Sequence, residues 1–337
     1  MVAALLPGRD WVCAGLAQRD LRPDGGHAVQ ALADLAAAPG QCHEALVHVG
    51  GEILTCSAWQ AAIMLLPPAQ VQATLAYLQA RPREQRQWVR RMLGTAALAP
   101  YTAARQRLPG VGRVIHAGIG GVALATCEPA LREEVISALR TADHVAVRDR
   151  LTLAQLGAAG IPAQLMPDPA VMVADLFGQR IHESANQGEV AAVRSRFPGG
   201  YLALQFSAEF GDDATLARLA AEVGSAATAA GLGVVLFRAG AAPWHDDLDT
   251  LRRMAARLPP TQVHVFASLD LWRVCALVAH SRGYCGSSLH GRIVAMAFAR
   301  PRVNLRLPAP AAGADGPAPA DKPAAFAATW DRPEVPR

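Results

Sequence analysis

Several features that would indicate a membrane protein are absent from this sequence. None of its apolar stretches reaches the roughly 18 residues that a transmembrane helix needs. The apolar start, Met1 to Leu6, has no basic segment and soon meets Pro7 and Arg9, which does not fit a secretory signal. We therefore expect a cytoplasmic protein with no integral membrane segment.

Metal and disulfide motifs are also missing. The cysteines form no C-x-x-C pair and no cluster with histidine at zinc spacing, so we expect reduced thiols and no metal site. The six cysteines are Cys13, Cys42, Cys56, Cys127, Cys275 and Cys285. Walker A and complete G-x-G-x-x-G motifs are absent, and Gly118-Ile119-Gly120-Gly121 lacks the spacing of a dinucleotide loop.

Aromatic residues and charge are both sparse. Aromatics make up 5% of the chain and charged residues 18%, with a formal net charge of +4 and no basic block. Nucleic-acid binding needs a concentrated basic footprint, and single-strand binding adds aromatic stacking platforms. The composition therefore predicts no nucleic-acid partner.

What the sequence does contain is a repeated α/β rhythm. Short β-branched runs alternate with alanine- and leucine-rich amphipathic stretches, which is typical of parallel α/β units. The alternation is interrupted over 178–200, where the residues are polar and show no sustained periodicity. This pattern predicts an N-terminal α/β domain over 1–177, a linker over 178–200 and a C-terminal α/β domain over 201–307. A Pro/Ala-rich tail over 308–337 ends with a short helix that docks back. Ligands of such sheets bind at the strand carboxyl ends, so we expect the site in the cleft between the domains.

The strongest local motif is Tyr284–Gly291, where a strand runs into two serines, a leucine, a histidine and a glycine that opens a helix. Hydroxyls and amides at a helix start can hold a phosphate or carboxylate. His290 would then exchange protons beside that anion near neutral pH. The structural alternative is that Ser288 is only an N-cap and His290 a buried first-turn residue.

A second motif, Val145–Arg150, places Arg148 at the end of a strand, where a guanidinium can grip a carboxylate or phosphate through two hydrogen bonds. The alternative is a surface charge run in which Asp149 caps the next helix. Arg238, after another strand, is a lesser candidate that we expect on a solvated loop.

Two further motifs follow strands of the first half. Gly50-Gly51-Glu52 permits close approach of a ligand to the backbone. Pro167-Asp168-Pro169 forms a rigid turn, for which a purely structural role is the simpler interpretation.

Taken in order, these motifs resemble those of the polysaccharide pyruvyl transferase family. The resemblance covers roughly residues 45–305, and the run Lys322–Asp331 is similar to a tail seen in relatives. It implies two Rossmann-like domains in a GT-B-like arrangement with the active site in the inter-domain cleft. It also implies transfer of the pyruvyl group of phosphoenolpyruvate onto a sugar of an exopolysaccharide or cell-surface glycan precursor, forming a ketal.

The resemblance also implies roles for individual residues. By analogy, His290 is the acid/base catalyst, and Arg148 binds the donor carboxylate or phosphate. The other donor contacts are Ser287, Ser288 and Gly291, and the acceptor side of the cleft comprises Gly50, Gly51, Glu52 and Asp168. Phosphoenolpyruvate enters as a co-substrate, and no cofactor or metal is expected. The acceptor is a glycan or a lipid-linked saccharide, and the oligomeric state is not readable.

The sequence departs from the family in two places. Many relatives carry arginine two residues before the motif histidine, where this chain has Ser288, and we hypothesise that Arg292 or Arg238 replaces that cation. Nothing before Gly50 matches the glycine-rich first loop of relatives, so that strand and loop are divergent or missing.

Two other functions stay open: a GT-B-type glycosyltransferase that uses a sugar nucleotide, and a non-catalytic relative that binds a glycan or partner protein. A lipid-linked acceptor would bring peripheral contact at the inner face of the membrane. The sequence shows no amphipathic basic helix that would support such contact.

Overall fold

The computed structural model describes residues 1–38, 40, 42–242, 245–307 and 321–335. Its strands are β1 (Ala14–Gly15), β2 (Arg19–Asp20), β3 (Ala28–Ala31), β4 (His43–Val49), β5 (Val111–Ile119), β6 (His144–Val147), β7 (Gln164–Leu165), β8 (Tyr201–Gln205), β9 (Gly233–Leu236), β10 (Val263–Val265), β11 (Gly283–Gly286) and β12 (Arg302–Asn304). Its α-helices are α1 (Val2–Leu5), α2 (Leu32–Ala37), α3 (Ala58–Met64), α4 (Pro68–Leu78), α5 (Pro82–Leu93), α6 (Pro129–Arg140), α7 (Arg150–Ala158), α8 (Val173–Ser184), α9 (Gly188–Arg196), α10 (Asp213–Ala229), α11 (Leu248–Ala255), α12 (Leu271–Ala279), α13 (Leu289–Ala297) and α14 (Lys322–Trp330).

The second half of the chain builds a five-stranded parallel sheet. Its strand order is β10-β9-β8-β11-β12, so the order reverses between β8 and β11. Both faces are covered, because Ala203 and Val235 belong to one buried apolar cluster and Leu204 and Leu236 to another. In a sheet of this order, ligands bind beyond the carboxyl ends of the two strands at the reversal. The candidate site must therefore involve the residues after β8 and β11.

The first half of the chain builds a four-stranded parallel sheet in the order β4-β5-β6-β7. Val145 and Val147 of β6 pack with Val135 of α6 and Leu156 of α7 in one apolar cluster. Two parallel sheets covered by helices confirm the predicted α/β class with two Rossmann-like units.

The first 40 residues do not extend the larger sheets. They contain a small mixed sheet of order β1-β3-β2, followed by α2. In the part of the chain that the structure describes, β4 is therefore an edge strand of its sheet.

The segment 178–200, which we predicted to be a linker, is mostly helical. It contains the end of α8 and all of α9, and both helices pack against α12 of the second half. Ile181 and Val190 are fully buried in the apolar cluster of the C-terminal sheet. The apolar residues of α8 recur every four positions, at Val173, Phe177 and Ile181, which is helical spacing. The polar residues between them obscured this pattern.

The C-terminal helix α14 packs against both halves of the molecule. It contacts α7 of the first half and α13 of the second. Phe326 is buried with Leu289 and Ile293 of α13, while Trp330 Nε1 donates a hydrogen bond to the Arg148 carbonyl at 2.7 Å. The rest of the predicted tail, 308–320 and 336–337, lies outside the described residues.

Two histidines are buried side by side in the N-terminal sheet. His48 of β4 and His116 of β5 are paired in register, and their rings stack with centroids 4.5 Å apart. Burial lowers the pKa of His48 to about 4. Burial, together with the neighbouring His48 imidazole, lowers the pKa of His116 to about 3. Both imidazoles are therefore neutral in the folded protein at neutral pH.

Two further observations concern long apolar helices and metal-binding clusters in the described ranges. No helix there combines the length and apolarity that crossing a bilayer requires. No group of three or more histidine, cysteine, aspartate or glutamate side chains in those ranges is arranged to hold a metal ion.

Candidate functional site

Asp168 lies at the centre of a charged cluster that joins the two halves of the protein. It precedes a short 3₁₀ turn, Pro169–Met172, and its Oδ1 accepts a hydrogen bond from the amide of Ala170 at 3.1 Å. Its Oδ2 lies 2.9 Å from Nη1 of Arg148 and 3.5 Å from Nε2 of His290. One carboxylate oxygen thus faces a cation from the first half and an imidazole from the second.

Arg148 extends this cluster to a second carboxylate. Its Nη2 donates to Oε2 of Glu52 at 2.7 Å, while Oε1 of Glu52 accepts the amide of Val122 at 2.6 Å. The side chain of Arg148 is only 3% exposed, and those of Glu52 and Asp168 are 11% and 4% exposed. A guanidinium enclosed between two carboxylates in this way is poorly accessible to a ligand.

Glycines make the close packing around this cluster feasible. A side chain at Gly120 would place its Cβ 2.3 Å from Glu52 Oε2 and 2.7 Å from the Arg148 guanidinium. Gly50 has a φ of +56°, and a Cβ there would lie 3.2 Å from both carboxylate oxygens of Asp168. The Gly50-Gly51 turn therefore closes over Asp168, while Glu52, the next residue, turns to Arg148.

The charge state of Asp168 follows from its neighbours. Burial by itself would raise the pKa of this carboxyl, but the His290 imidazole, the Arg148 guanidinium and the Ala170 amide outweigh it. Together they lower the pKa of Asp168 from 3.8 to about 2. The carboxylate is thus ionised at all physiological pH values.

His290 occupies the first turn of α13, directly after β11. Ser288 is the N-cap of this helix, and its Oγ accepts the amide of Gly291 at 3.2 Å. Ser287 Oγ accepts the amide of Ser207 at 3.1 Å. His290, in contrast, is 57% exposed at its side chain. Ser288 is therefore an N-cap, as the structural alternative for this motif predicted. The same alternative predicted a buried His290, and that prediction is wrong.

A polar network that the sequence motifs did not predict supports the backbone of Ser288. Gln205, the last residue of β8, accepts the amide of Ser288 at 2.7 Å and the Tyr284 hydroxyl at 3.2 Å through Oε1. Its Nε2 donates to Asp246 at 2.6 Å, and Asp246 also accepts the amide of Ala239 at 2.5 Å. The network lies at the strand reversal between β8 and β11. Burial raises the pKa of Asp246 to about 6, so its carboxyl titrates near neutrality.

The two arginines proposed to replace a missing donor cation lie in different surroundings. Arg292 is fully buried, where its guanidinium binds Asp331 and donates to Asn304 Oδ1 at 2.9 Å. Arg292 is therefore not part of the charged cluster around Asp168. It projects from α13 towards Asp331, the residue that follows α14. Arg238 donates to the Ala267 carbonyl at 3.1 Å and interacts electrostatically with Asp246, so it remains at the carboxyl end of the sheet.

A cation that was not assigned a role lies at the junction of the two halves. Lys322, the one lysine of the 337 residues, is the first residue of α14 and is exposed. Its charge acts on Cys56 of the first half and on His245 of the second. The resemblance of the run Lys322–Asp331 to a tail of relatives does not indicate where its first residue docks.

Comparisons with known proteins place this arrangement in a family. A sequence model of the polysaccharide pyruvyl transferase family matches residues 117–306, which span more than half of the chain and include Arg148, Asp168 and His290. The chain therefore belongs to the polysaccharide pyruvyl transferase family, as the sequence motifs predicted, and it is a transferase. No curated protein matches the chain.

Solved structures of low similarity were also found. A UDP complex of MnaA from S. aureus has 10% identity and a TM-score of 0.48, covering 78% of this chain and 80% of that one. A UDP-GlcNAc 2-epimerase from Neisseria meningitidis bound to UDP-GlcNAc has 13% identity and a TM-score of 0.48, covering 85% and 86%. The corresponding enzyme of Methanocaldococcus jannaschii, in complex with UDP-GlcNAc and UDP, has 12% identity and a TM-score of 0.43, covering 78% and 84%.

Proposed function

We propose that this protein transfers the pyruvyl group of phosphoenolpyruvate onto a sugar of an exopolysaccharide or cell-surface glycan precursor, forming a ketal. The observation that carries the proposal is the contact between His290 and the buried, ionised Asp168. It joins the helix after β11 to the turn after β7, within the region that matches the family.

The proposed chemistry begins with a proton. His290, as imidazolium, donates a proton to the methylene carbon of phosphoenolpyruvate, which forms a C–H bond and leaves an oxocarbenium-like carbon at C2. One sugar hydroxyl adds to that carbon, forming a C–O bond, and its proton passes to the His290 imidazole. A second hydroxyl then attacks the same carbon, the C–O bond to phosphate breaks, and the departing phosphate takes the proton of this hydroxyl. The products are a cyclic ketal and inorganic phosphate.

Asp168 and Arg148 support this proton transfer without touching the donor. Because Nε2 of His290 faces Asp168, the other ring nitrogen is the one available to the donor. The carboxylate stabilises the imidazolium electrostatically, as an acidic partner orients histidine in other acid/base sites. We assign Arg148 as a positioning residue, since its guanidinium holds both Asp168 and Glu52. Direct binding of the donor by Arg148 would require it to leave at least one of these carboxylates.

The negative charges of the donor need other partners. The first-turn amides of α13 have no acceptor within the helix and carry the positive end of its dipole. The Gly291 amide already bonds to Ser288, so the amides before it and the hydroxyl protons of Ser287 and Ser288 are the better candidates. The Gln205–Asp246 pair holds the Ser288 backbone in place. The acceptor then approaches from the side of the Gly50–Glu52 turn.

Lys322 is our candidate for the cation that neutralises the donor. It is exposed, and its charge reaches residues of both halves at their junction. An ammonium on a flexible stem can reach a phosphate without leaving a buried partner, which Arg148 cannot do. Removing one hydrogen bond to a charged ligand costs about 1.5–3 kcal/mol, or roughly 10- to 150-fold in binding.

The test is to incubate the protein with phosphoenolpyruvate and acceptor glycans, following phosphate release together with the methyl resonance of the ketal. We expect product from the wild type and loss of turnover in His290→Gln. In Lys322→Gln we expect at least a tenfold rise in KM for phosphoenolpyruvate. Arg218→Gln, which removes an exposed cation from α10, serves as the matched control and keeps the wild-type KM.

Other outcomes would replace the proposal. Turnover only with a sugar nucleotide would identify a glycosyltransferase. Binding of glycan without turnover of any donor would identify a non-catalytic relative.

A further inference from the structure

The helix α5 carries a concentrated positive charge that the proposed transfer reaction does not use. Residues 58–93 contain five arginines and one acidic residue, Glu84, so this segment alone has the same net charge as the whole chain, +4. We define the α5 arginine face as its four exposed arginines without a carboxylate partner in the described ranges, Arg83, Arg86, Arg90 and Arg91. The expectation that the chain has no amphipathic basic helix was therefore wrong.

The absence of compensating charge separates this face from other arginine clusters. On and after α11, Arg252 pairs with Asp249 at 2.8 Å, while Arg253 and Arg257 pair with Asp213 at 2.7 and 2.5 Å. Those cations are neutralised locally. On α5, Glu84 interacts with Arg81 at 3.9 Å and accepts the Tyr77 hydroxyl, which leaves the arginine face uncompensated.

The apolar side of α5 is already occupied. Val89 and Leu93 are buried against Ala58, Ala61 and Ala62 of α3. The buried side of the helix is therefore not available to another protein or to lipid, and a partner is attracted mainly by the charge of the exposed side. Two exposed apolar side chains, Tyr77 and Met92, accompany the four arginines, which is too few for the apolar core of a protein interface.

Nucleic acid fits this surface poorly. Single-stranded binding uses exposed aromatic rings as stacking platforms. Here the Arg81 guanidinium lies 4.2 Å over one face of the Tyr77 ring, and Trp88 packs edge-on against Trp59. A flat array of cations without stacking groups instead matches a surface of phosphate headgroups, which attracts arginine electrostatically.

We propose that the α5 arginine face docks this protein onto an anionic membrane surface. Contact is mainly by charge, because Val89 and Leu93 of the helix are buried against α3. The same helix packs on α3, whose capping residue Ser57 follows Glu52 closely in the chain. If the proposed function holds, docking places the membrane beside the half of the chain that carries the acceptor side of the site; the docking itself does not depend on that function.

The experiment is co-sedimentation of the full chain with vesicles of phosphatidylcholine alone or of equal parts phosphatidylcholine and phosphatidylglycerol. We expect binding only to the anionic vesicles. The affinity should fall at least tenfold between about 50 mM and about 300 mM salt, because screening shortens the reach of the charges. No transfer activity is measured, so failure of the proposed function leaves this result unaffected.

Two triple variants of equal charge change test the location of the surface. Arg83→Gln with Arg86→Gln and Arg90→Gln should weaken binding roughly a hundredfold, since each arginine contributes about fivefold. Arg252→Gln with Arg253→Gln and Arg257→Gln should keep the affinity within about twofold. Thermal unfolding of both variants verifies that they fold.

Three results would overturn the proposal. Equal binding to zwitterionic vesicles would exclude an electrostatic surface, and equal losses in the two triple variants would exclude this face. Duplex DNA competing at equal phosphate concentration would assign the face to nucleic acid instead.

Discussion

Replacing Arg148 by methionine tests whether this residue positions Asp168 or binds the donor. The substitution keeps a long apolar stem but removes the cation between Glu52 and Asp168, whose side chains are 11% and 4% exposed. Breaking a buried ion pair by removing one partner costs about 3–5 kcal/mol, because the remaining charge is left uncompensated. For a chain of this size, that corresponds to a fall in Tm of about 10 °C.

The stability that the ionised Asp168 contributes depends on pH in a defined direction. The pKa of Asp168 is about 2 in the folded protein, against 3.8 for an ordinary aspartate. Its contribution to stability, about 2 kcal/mol, is present above pH 4 and lost as the pH falls towards 2. Arg148→Met removes one of the causes of this shift. The variant should therefore lose less of its stability than the wild type over that acidic range.

The assay combines thermal unfolding with kinetics of phosphate release. A positioning role predicts that Arg148→Met lowers kcat at least a hundredfold, while KM for phosphoenolpyruvate changes less than about threefold. Arg148→Lys should give intermediate stability, because one ammonium cannot reach both carboxylates. Arg150→Met, an exposed neighbour at the start of α7, is the matched control and should shift stability by less than about 0.5 kcal/mol.

One result would contradict a positioning role for Arg148. If Arg148→Met raised KM for phosphoenolpyruvate a hundredfold while kcat and Tm stayed at wild-type values, Arg148 would bind the donor directly.

Three further predictions concern packing and buried charge. Gly120→Ala forces a methyl group into the buried ion pair and should abolish activity and lower Tm, whereas Gly157→Ala in α7, with open space around it, should leave both unchanged. Because the pKa values of His48 and His116 are about 4 and about 3, unfolded chains bind more protons below pH 6.5. Urea unfolding should therefore show a loss of about 2 kcal/mol per imidazole between pH 7 and 5, and H116L should lose only half as much; an equal loss in both proteins would contradict this origin. Asp331→Asn, which leaves two arginines beside α14 without their carboxylate, should cost about 3–5 kcal/mol, checked by the same unfolding assay.

The sequence predicted the local elements well where the periodicity was strong. Alternation of β-branched runs with amphipathic stretches correctly predicted two parallel α/β sheets. The periodicity did not predict the helices within residues 178–200, because widely spaced apolar residues among polar ones give a weak helical signal. Boundaries of this kind are decided by what the helix packs against, which here is α12.

The candidate site could be predicted only in part. A structural turn was the simpler interpretation of Asp168, yet its carboxylate accepts a hydrogen bond from Arg148, 20 residues earlier in the chain. Arg148 in turn donates to Glu52, which lies 96 residues before it. Gln205 looks like an ordinary strand residue, yet it supports the Ser288 backbone from a strand 83 residues away. No local pattern encodes such contacts, because they depend on which strand ends lie next to each other.

By itself, the sequence determined the class of fold, the family and the residues able to carry charge or protons at strand ends. These properties follow from hydrophobic periodicity, helix caps and motif order, which act over a few residues. Only the tertiary structure decided that Arg148 is enclosed between two carboxylates and Arg292 is buried against Asp331, while His290 and Lys322 stay accessible. A buried charge requires a partner, and the partner is supplied by whatever segment the fold brings close, however distant it is along the chain.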